Sequence, residues 1–134
     1  GLNFPINIRG TVDRIDVYNN TLRIIDYKSG LINKSNLFFK DWKSIIKDEK
    51  KNALFQVLLY SYVYRDKRIN YNEIQAGVIP FQNYDNEFIP VSLSENNIKR
   101  SVLNLNDGIF RDFEKEFFSI INEIFDQKKP FFKN

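Results

Sequence analysis

The sequence contains no cysteine, no histidine and no methionine. Without cysteine the chain forms no disulfide and offers no thiolate to a metal, and without histidine it has neither a typical zinc site nor a triad that uses imidazole. A metal held by its side chains must therefore be bound through oxygen atoms, which favours hard cations such as Mg²⁺ or Mn²⁺. Zinc chemistry and histidine-based triads are excluded.

Long apolar runs are also missing. None approaches the roughly 20 residues that span a bilayer, and the N-terminus lacks the basic-then-apolar order of a signal peptide. We therefore expect a cytoplasmic protein with no membrane partner. Because the first residue is glycine and no methionine is present, we expect the 134 residues to be one domain cut from a longer protein. The net charge of +3 is too small to indicate a polyanionic partner by itself.

Material for a core is plentiful, since apolar residues make up 43% of the chain and aromatic residues 16%. Alternation of apolar and polar residues predicts strands over 4–18 and 22–27, with a bulge or bend at Gly10. Between 34 and 51 this periodicity is lost, and six lysines stand against three acidic residues. We interpret that stretch as a basic, mobile loop with a short helical piece.

The rest of the chain predicts two helices and two strands. A helix over 52–65 places Phe55, Leu58, Leu59 and Tyr62 toward the core, and a last helix over about 107–126 carries a second apolar stripe. The residues of that stripe are Phe110, Phe113, Phe117, Ile120, Ile121 and Ile124. Strands over 73–81 and 87–93, separated by a turn, are expected to pair with each other.

Two asparagines within the first strand region predict a tight hairpin, because Asn19 and Asn20 tolerate the positive φ that a two-residue turn demands. Counting outward from this turn, Asp13 falls directly opposite Asp26, which would place their Cβ atoms roughly 4.5 to 5.5 Å apart. Successive strand residues alternate between faces, so Lys28 shares the face of Asp26. The hairpin therefore brings three charged groups together beside an apolar strip.

Directly opposed carboxylates are unfavourable unless something neutralises them, and a divalent cation shared by Asp13 and Asp26 would do so. The same geometry also fits a solvated sheet edge at which Lys28 is a simple counter-ion, and geometry alone leaves both interpretations open. On the other face Asp16 falls opposite Arg23. This is an ordinary cross-strand ion pair, for which no catalytic role is needed.

Three segments that contain these residues, GTVDRID, IIDYKSG and QVLLY, resemble the signatures of RecB-type (AddB-like) nucleases of the PD-(D/E)XK superfamily. Those nucleases carry Gly-x-x-Asp, then Asp-x-Lys after a short hairpin, then Gln-x-x-x-Tyr on a helix. The residues that match are Gly10 with Asp13, Asp26 with Lys28, and Gln56 with Tyr60. Three motifs in order, within about residues 8–65, are far more specific than any one of them.

The resemblance implies an α/β (α+β) fold with a restriction-endonuclease-like core, in which a central mixed β-sheet is flanked by helices. It implies metal-dependent hydrolysis of DNA phosphodiester bonds, as in the nuclease modules of helicase-nucleases that act in DNA end processing, recombination or repair. DNA would be the substrate. Helicase regions of the same polypeptide, or a partner helicase-nuclease subunit, would be the protein partners.

The resemblance also implies roles for individual residues. Asp13, Asp26 and the backbone carbonyl of Tyr27 would hold one or two Mg²⁺ (or Mn²⁺) ions, which polarise the scissile phosphate and lower the pKa of the attacking water. Lys28 would complete the catalytic centre by positioning that water or stabilising charge in the transition state.

Substrate contacts are predicted at two further places. Gln56 and Tyr60 share a helix face and would contact DNA or brace the metal site, although this spacing is also frequent by chance. The basic stretch would follow phosphates through lysines such as Lys34, Lys40 and Lys43, while its aromatic residues stack on unpaired bases. The alternative for this stretch is an ordinary solvated surface. Its full set of lysines is Lys34, Lys40, Lys43, Lys47, Lys50 and Lys51.

The chain departs from the family pattern at both ends. Many members have a histidine on a helix before the first motif, and a Pro-Phe segment that leads into a cysteine cluster; here Pro130, Phe131 and Phe132 resemble only the start of that segment. We therefore expect the fold without full activity. Two alternatives stay open: a catalytically inactive nuclease-fold module that binds DNA or a partner, and a restriction-type or CRISPR-associated nuclease with the same motifs.

Overall fold

Strands and helices alternate along most of the chain in the computed structural model, which describes residues 2–68, 70–95 and 99–130. The strands and α-helices are β1 (Arg14–Tyr18), β2 (Thr21–Lys28), β3 (Phe38–Phe39), α1 (Trp42–Lys47), α2 (Asn52–Val63), β4 (Ile74–Pro80), β5 (Ile89–Pro90), β6 (Ser92–Glu95), β7 (Lys99–Val102) and α3 (Asp107–Ile124). Short 3₁₀ helices span Lys34–Leu37, Glu49–Lys51 and Arg65–Arg68. No helix in the described part of the chain is long and apolar enough to cross a membrane.

The first hairpin has the predicted register. Asn19 and Asn20 adopt φ values of 48° and 62°, the left-handed conformation that a two-residue hairpin turn requires. Tyr18 pairs with Thr21, and the antiparallel ladder continues to the pair of Arg14 with Ile25. This turn fixes which side chains of β1 and β2 share a face.

The hairpin belongs to a four-stranded mixed sheet with the order β1-β2-β4-β5. β2 and β4 pair in parallel at the centre. β1 pairs antiparallel with β2 at one edge, and β5 pairs antiparallel with β4 at the other. Because parallel strands need a crossover, the chain between them passes through α2, which packs against both strands. Leu22 and Ile24 face this helix and are buried. The implied mixed sheet flanked by helices is therefore confirmed.

Helix α2 is buried on two sides. Its residues against the core are Leu54, Val57, Leu58, Ser61 and Tyr62. The four predicted residues all contact the core, Phe55 through α3, where its ring centroid lies 5.8 Å from that of Phe113 and 6.2 Å from that of Phe117. The prediction missed Leu54, Val57 and Ser61. A helix held between a sheet and another helix has no single apolar stripe, so periodicity locates its buried face poorly.

The predicted C-terminal helix is confirmed as α3. Asn106 caps it, because its side chain accepts a hydrogen bond of 3.0 Å from the backbone N–H of Ile109. Phe110, Phe113 and Phe117 are buried, whereas Ile124 at the end of the same stripe is largely exposed. Pro130 lies beyond the end of the helix, and Phe131 and Phe132 lie outside the described residues.

The predicted strand over 4–18 was wrong in its first part. Residues 4–13 form no strand, and Gly10 marks no bulge. In this segment Ile8 and Val12 pack against the core as irregular chain. The alternation of apolar and polar residues therefore marks which side of this irregular segment packs against the core, without strand pairing.

The predicted strand over 87–93 divides between two sheets. Ile89 and Pro90 pair with β4 as expected, and the chain then leaves as β6, which joins a three-stranded sheet of order β3-β6-β7. Pro90 has no N–H to donate to a neighbouring strand, and the chain changes its pairing partner directly after this residue. The second sheet was not predicted from the sequence.

Candidate active site

Asp26 is the buried acidic residue of the central sheet, with only 4% of its surface exposed. It lies near the carboxyl end of β2 on the face that packs against α2. The Lys28 ammonium is 2.7 Å from Asp26 Oδ2, but this is a charge contact, since no donor among the described residues reaches that oxygen with hydrogen-bond geometry. A buried acceptor without a hydrogen bond is costly and indicates a missing partner.

Asp13 lies beside the point at which the β1–β2 ladder ends. The last pair of that ladder is Arg14 with Ile25, one step short of the predicted pairing of Asp13 with Asp26. Instead, Asp13 Oδ2 accepts a hydrogen bond of 2.8 Å from the backbone N–H of Tyr27. Asp13 is exposed, whereas Asp26 is buried with Lys28 as its counter-ion.

The pKa of Asp26 is raised above its ordinary value. Burial is the largest cause and the negative charge of Asp13 adds to it, while the close contact with the positively charged Lys28 acts in the opposite direction. One ammonium therefore compensates the two carboxylates only in part. A second positive charge at this position would lower the pKa of Asp26 and relieve the repulsion.

A line of polar contacts joins the hairpin to α2. Lys28 Nζ donates to Gln56 Oε1 at 2.5 Å, and Gln56 Nε2 donates to the Tyr60 hydroxyl at 2.7 Å. The Tyr60 ring in turn lies against Gly10, where an added Cβ would be 2.9 Å from Tyr60 Cε1. The structure thus brings all three sequence motifs together, and it shows that Gly10 provides room for Tyr60.

A model of the PD-(D/E)XK nuclease superfamily matches residues 1–132. The chain belongs to the PD-(D/E)XK nuclease superfamily. Comparison with curated proteins and with solved structures gave no match. Membership implies a nuclease that cleaves phosphodiester bonds and has DNA as its substrate.

PD-(D/E)XK nucleases generally use divalent metal ions. Within residues 2–68, 70–95 and 99–130 no three acidic, histidine or cysteine side chains cluster as a metal site. Two carboxylates do meet, and Asp26 Oδ2 lacks a hydrogen bond. The carbonyl of Tyr27 points to the same side as its N–H, toward Asp13, because both groups of a strand residue face one neighbour. This oxygen set fits Mg²⁺, which keeps several waters.

The lysines predicted to bind DNA lie in different short elements: Lys34 in a 3₁₀ helix, Lys40 between β3 and α1, and Lys43 in α1. Lys40 and Lys43 are exposed, and Lys34 lies 4.0 Å from Glu87. The predicted mobile loop was wrong, since the 3₁₀ helix Lys34–Leu37, β3 and α1 occupy most of this stretch and bury three apolar side chains that anchor it. These are Leu37, Phe39 and Ile45.

The aromatic residues of this stretch were wrongly predicted to stack on bases. Phe39 is buried and packs 4.9 Å from Trp42, which also contacts Phe113 of α3. Phe38 lies beneath the guanidinium of Arg100 at 4.0 Å. These rings belong to the core and its margin, because each of these short elements is anchored by one buried apolar side chain.

The ion pair on the opposite face of the hairpin is confirmed. Arg23 donates two hydrogen bonds to the Asp16 carboxylate, at 2.7 and 2.8 Å, and Arg14 adds a contact of 2.8 Å. The hydrogen bond from Arg23 is the main cause that lowers the pKa of Asp16. Asp16 therefore stabilises the hairpin in its charged form, in contrast to Asp26.

Replacing Asp26 by Asn is expected to stabilise the protein at neutral pH by about 1 kcal/mol, or roughly 4 °C in Tm. Because burial raises the pKa of Asp26 in the folded state, the wild type loses stability as pH rises from the ordinary Asp value through the raised one. The gain should therefore be present at pH 7 and shrink as pH falls toward about 3.9. Thermal unfolding at several pH values measures this; a loss of stability at pH 7 would contradict it.

Proposed function

We propose that this chain is the metal-dependent DNA-cleaving core of a RecB/AddB-like helicase-nuclease that acts in DNA end processing, recombination or repair. The observation that carries the proposal is Asp26 Oδ2, a buried oxygen with no hydrogen bond in the described structure, next to a second carboxylate and an ammonium. A purely structural residue at this position would be apolar or fully hydrogen-bonded. The helicase context is supported by the motif resemblance alone.

Asp13, Asp26 and the Tyr27 carbonyl are the groups that would hold the cation. When bound, a divalent cation polarises a phosphate oxygen and makes water a stronger nucleophile at neutral pH. Asp26 provides a fixed ligand, because it is buried within a central strand. The backbone N–H of Tyr27 donates to Oδ2 of Asp13 and orients its carboxylate. Because Asp13 is exposed, the site stays open to a DNA phosphate.

Lys28 is the group available to stabilise negative charge on the phosphate during cleavage. Its side chain stays partly exposed, and its ammonium lies 2.7 Å from Asp26 Oδ2. Gln56 holds it at 2.5 Å, and Tyr60 fixes the amide orientation of Gln56. A donor fixed in advance costs no reorganisation as charge develops, which is the source of its catalytic value. Gln56 and Tyr60 are thus proposed as positioning residues.

Titration with Mn²⁺ tests the metal site directly. Calorimetry on the intact chain is expected to give a saturable binding heat, and the bound ion should raise Tm according to the ratio of its concentration to its Kd. Asp26→Ala should remove both signals. Asp16→Ala is the matched control, because it removes a carboxylate from the opposite face of the same hairpin, and it should leave the heat unchanged. No heat with the intact chain, or equal heat with Asp26→Ala, would exclude the site.

A non-catalytic DNA-binding module is the second candidate, and the small ligand set favours it. Only two carboxylates meet in the described part of the chain, and fewer charged ligands bind a cation less tightly. Such a module would bind DNA without cleaving it. Cleavage that requires both Mg²⁺ and Asp26 would exclude this candidate.

A further inference from the structure

A groove of about 660 Å³ lies between the irregular segment before β1 and the end of α2. The segment contributes four consecutive residues, and the helix contributes its last residue and the residue that caps it. The lining residues are Ile8, Arg9, Gly10, Thr11, Val63 and Tyr64. Because Gly10 belongs to the first sequence motif, the groove begins at a residue of that motif.

The groove lies along the same helix face as the candidate active site. Gln56, Tyr60 and Tyr64 follow one another at four-residue steps, so they share one face of α2. Gln56 accepts the hydrogen bond from Lys28 and donates to Tyr60, and Gly10 lies against the Tyr60 ring. About 12 Å of helix separates Gln56 from Tyr64. A ligand that passes the Lys28 ammonium can therefore continue along this face into the groove.

Arg9 is the one charged side chain among the residues that line the groove. It is exposed, and within the described part of the chain no hydrogen bond, ion pair or ring contact engages it. Other arginines of this protein are engaged, since Arg23 binds Asp16 and Arg65 lies over the Tyr62 ring. An anion that enters the groove thus meets an available guanidinium, and no carboxylate of the lining residues repels it.

We propose that the groove holds the sugar-phosphate backbone of the DNA strand that is cleaved, and that Arg9 pairs with one of its phosphates. This inference rests on the proposed function. Asp13 follows Arg9 by four residues, so their Cα atoms are at most about 14 Å apart. At a rise of about 3.4 Å per nucleotide, the phosphate lies within roughly four nucleotides of the cleavage position.

Arginine is suited to this role because its guanidinium can donate two parallel hydrogen bonds to a phosphate. Contacts to phosphates position the protein on DNA but carry no sequence information. The groove therefore binds DNA strands irrespective of their sequence. Arg9 is a substrate-binding residue that lies outside the three motifs.

Binding of a fluorescein-labelled 12-nucleotide single strand, measured by anisotropy in EDTA so that no cleavage occurs, tests the contact. Arg9→Ala is expected to weaken binding about fivefold at low salt, and the slope of log affinity against log salt should become shallower by about 0.7, as for one phosphate contact. Arg9→Lys should retain most of the slope because it keeps the charge. Arg111→Ala is the matched control, since Arg111 is an exposed arginine of α3 that does not line the groove. It should bind as wild type does.

Thr11→Lys provides a gain of affinity in the same groove. Thr11 is exposed there, so an added ammonium should tighten binding and steepen the salt slope by about 0.7. A variant that binds more tightly is folded, which separates the effect of charge from damage to the structure. Unchanged affinity of Thr11→Lys would contradict a DNA strand in the groove.

Single methylphosphonate linkages, placed in turn along the strand, remove one phosphate charge at a time. At one position the neutral linkage should weaken wild-type binding about fivefold and leave Arg9→Ala unaffected, because the partner of that phosphate is already absent. Absence of such a position, or equal affinity and salt slope of Arg9→Ala and Arg111→Ala, would overturn the proposal. Loss of polyglutamate binding in Arg9→Ala without any loss of DNA binding would assign the groove to an acidic protein segment instead.

The proposed function is tested separately from this contact. It would survive failure of the Arg9 experiments if cleavage still depended on Asp26. It would fail by itself if Asp26→Asn left cleavage intact.

Discussion

Asp26→Asn is expected to lower Mg²⁺-dependent cleavage of DNA by at least about a hundredfold while the protein becomes more stable. The loss follows from removal of a buried charged ligand, and electrostatic groups that act on the transition state typically contribute this much. The gain follows because burial and the charge of Asp13 raise the pKa of Asp26 and make its ionised form unfavourable in the fold. A parallel cleavage assay and thermal unfolding curve measure both effects on one preparation.

Asp16→Asn provides the opposite pair of results and serves as the control. Arg23 lowers the pKa of Asp16, so ionised Asp16 stabilises the fold at pH values above the ordinary Asp pKa, and this stability is lost as pH falls. The variant should lose about 1 kcal/mol at pH 7 and retain cleavage. An equal fall of cleavage in both variants would show that cleavage depends only on an intact hairpin. That result would contradict a catalytic role for Asp26.

Gly77→Ala is expected to have the largest effect on stability, a loss of about 3 kcal/mol or roughly 10 °C in Tm. Gly77 is a buried residue of β4. A Cβ added there would lie 2.3 Å from the backbone oxygen of Ile89 and 2.6 Å from the Phe88 ring. The oxygen belongs to β5, which pairs with β4 over only two residues. The strand must therefore move away, with loss of the pairing.

Gly30→Ala is the matched control for this substitution. An added Cβ at Gly30 meets nothing within 4 Å, and the residue is exposed. The free energy of unfolding of the variant should therefore lie within about 0.5 kcal/mol of the wild-type value. Chemical denaturation of the three proteins measures the difference. Similar stability of Gly77→Ala and Gly30→Ala would contradict the close approach of β5 to β4.

The hairpin could be predicted from the sequence because a local signal determines it. Asn19 and Asn20 specify a two-residue turn, and the side-chain period of two then fixes every pair, including the side on which Asp13 and Asp26 lie. The amphipathic pattern of α3 is also local, and its predicted position was confirmed. The three motifs indicated the fold that the superfamily match and the structure bear out. The catalytic roles stay predictions.

Features that depend on distant partners could not be predicted. Phe38 and Phe39 form a two-residue strand only because β6 lies beside them, and nothing within the basic stretch shows this. The burial of Asp26 likewise depends on α2 and β4, which lie far along the chain. The Tyr27–Phe81 stack joins β2 to the turn after β4 and left no pattern in the sequence. Periodicity records local exposure, whereas these contacts arise from tertiary packing.

The contact of Gly10 with Tyr60 has a consequence for ion selectivity. It holds the irregular segment before β1 against a helix, and Asp13 is the residue at which that segment meets the sheet. Asp26, by contrast, is buried within β2 and paired with Val78 of β4. The two proposed ligands thus differ in stiffness, so a cation of larger radius would be accommodated mainly by movement of Asp13. Because discrimination between Mg²⁺ and larger ions depends on how rigidly ligands are held, the residue opposite Tyr60 bears on which ion the site accepts.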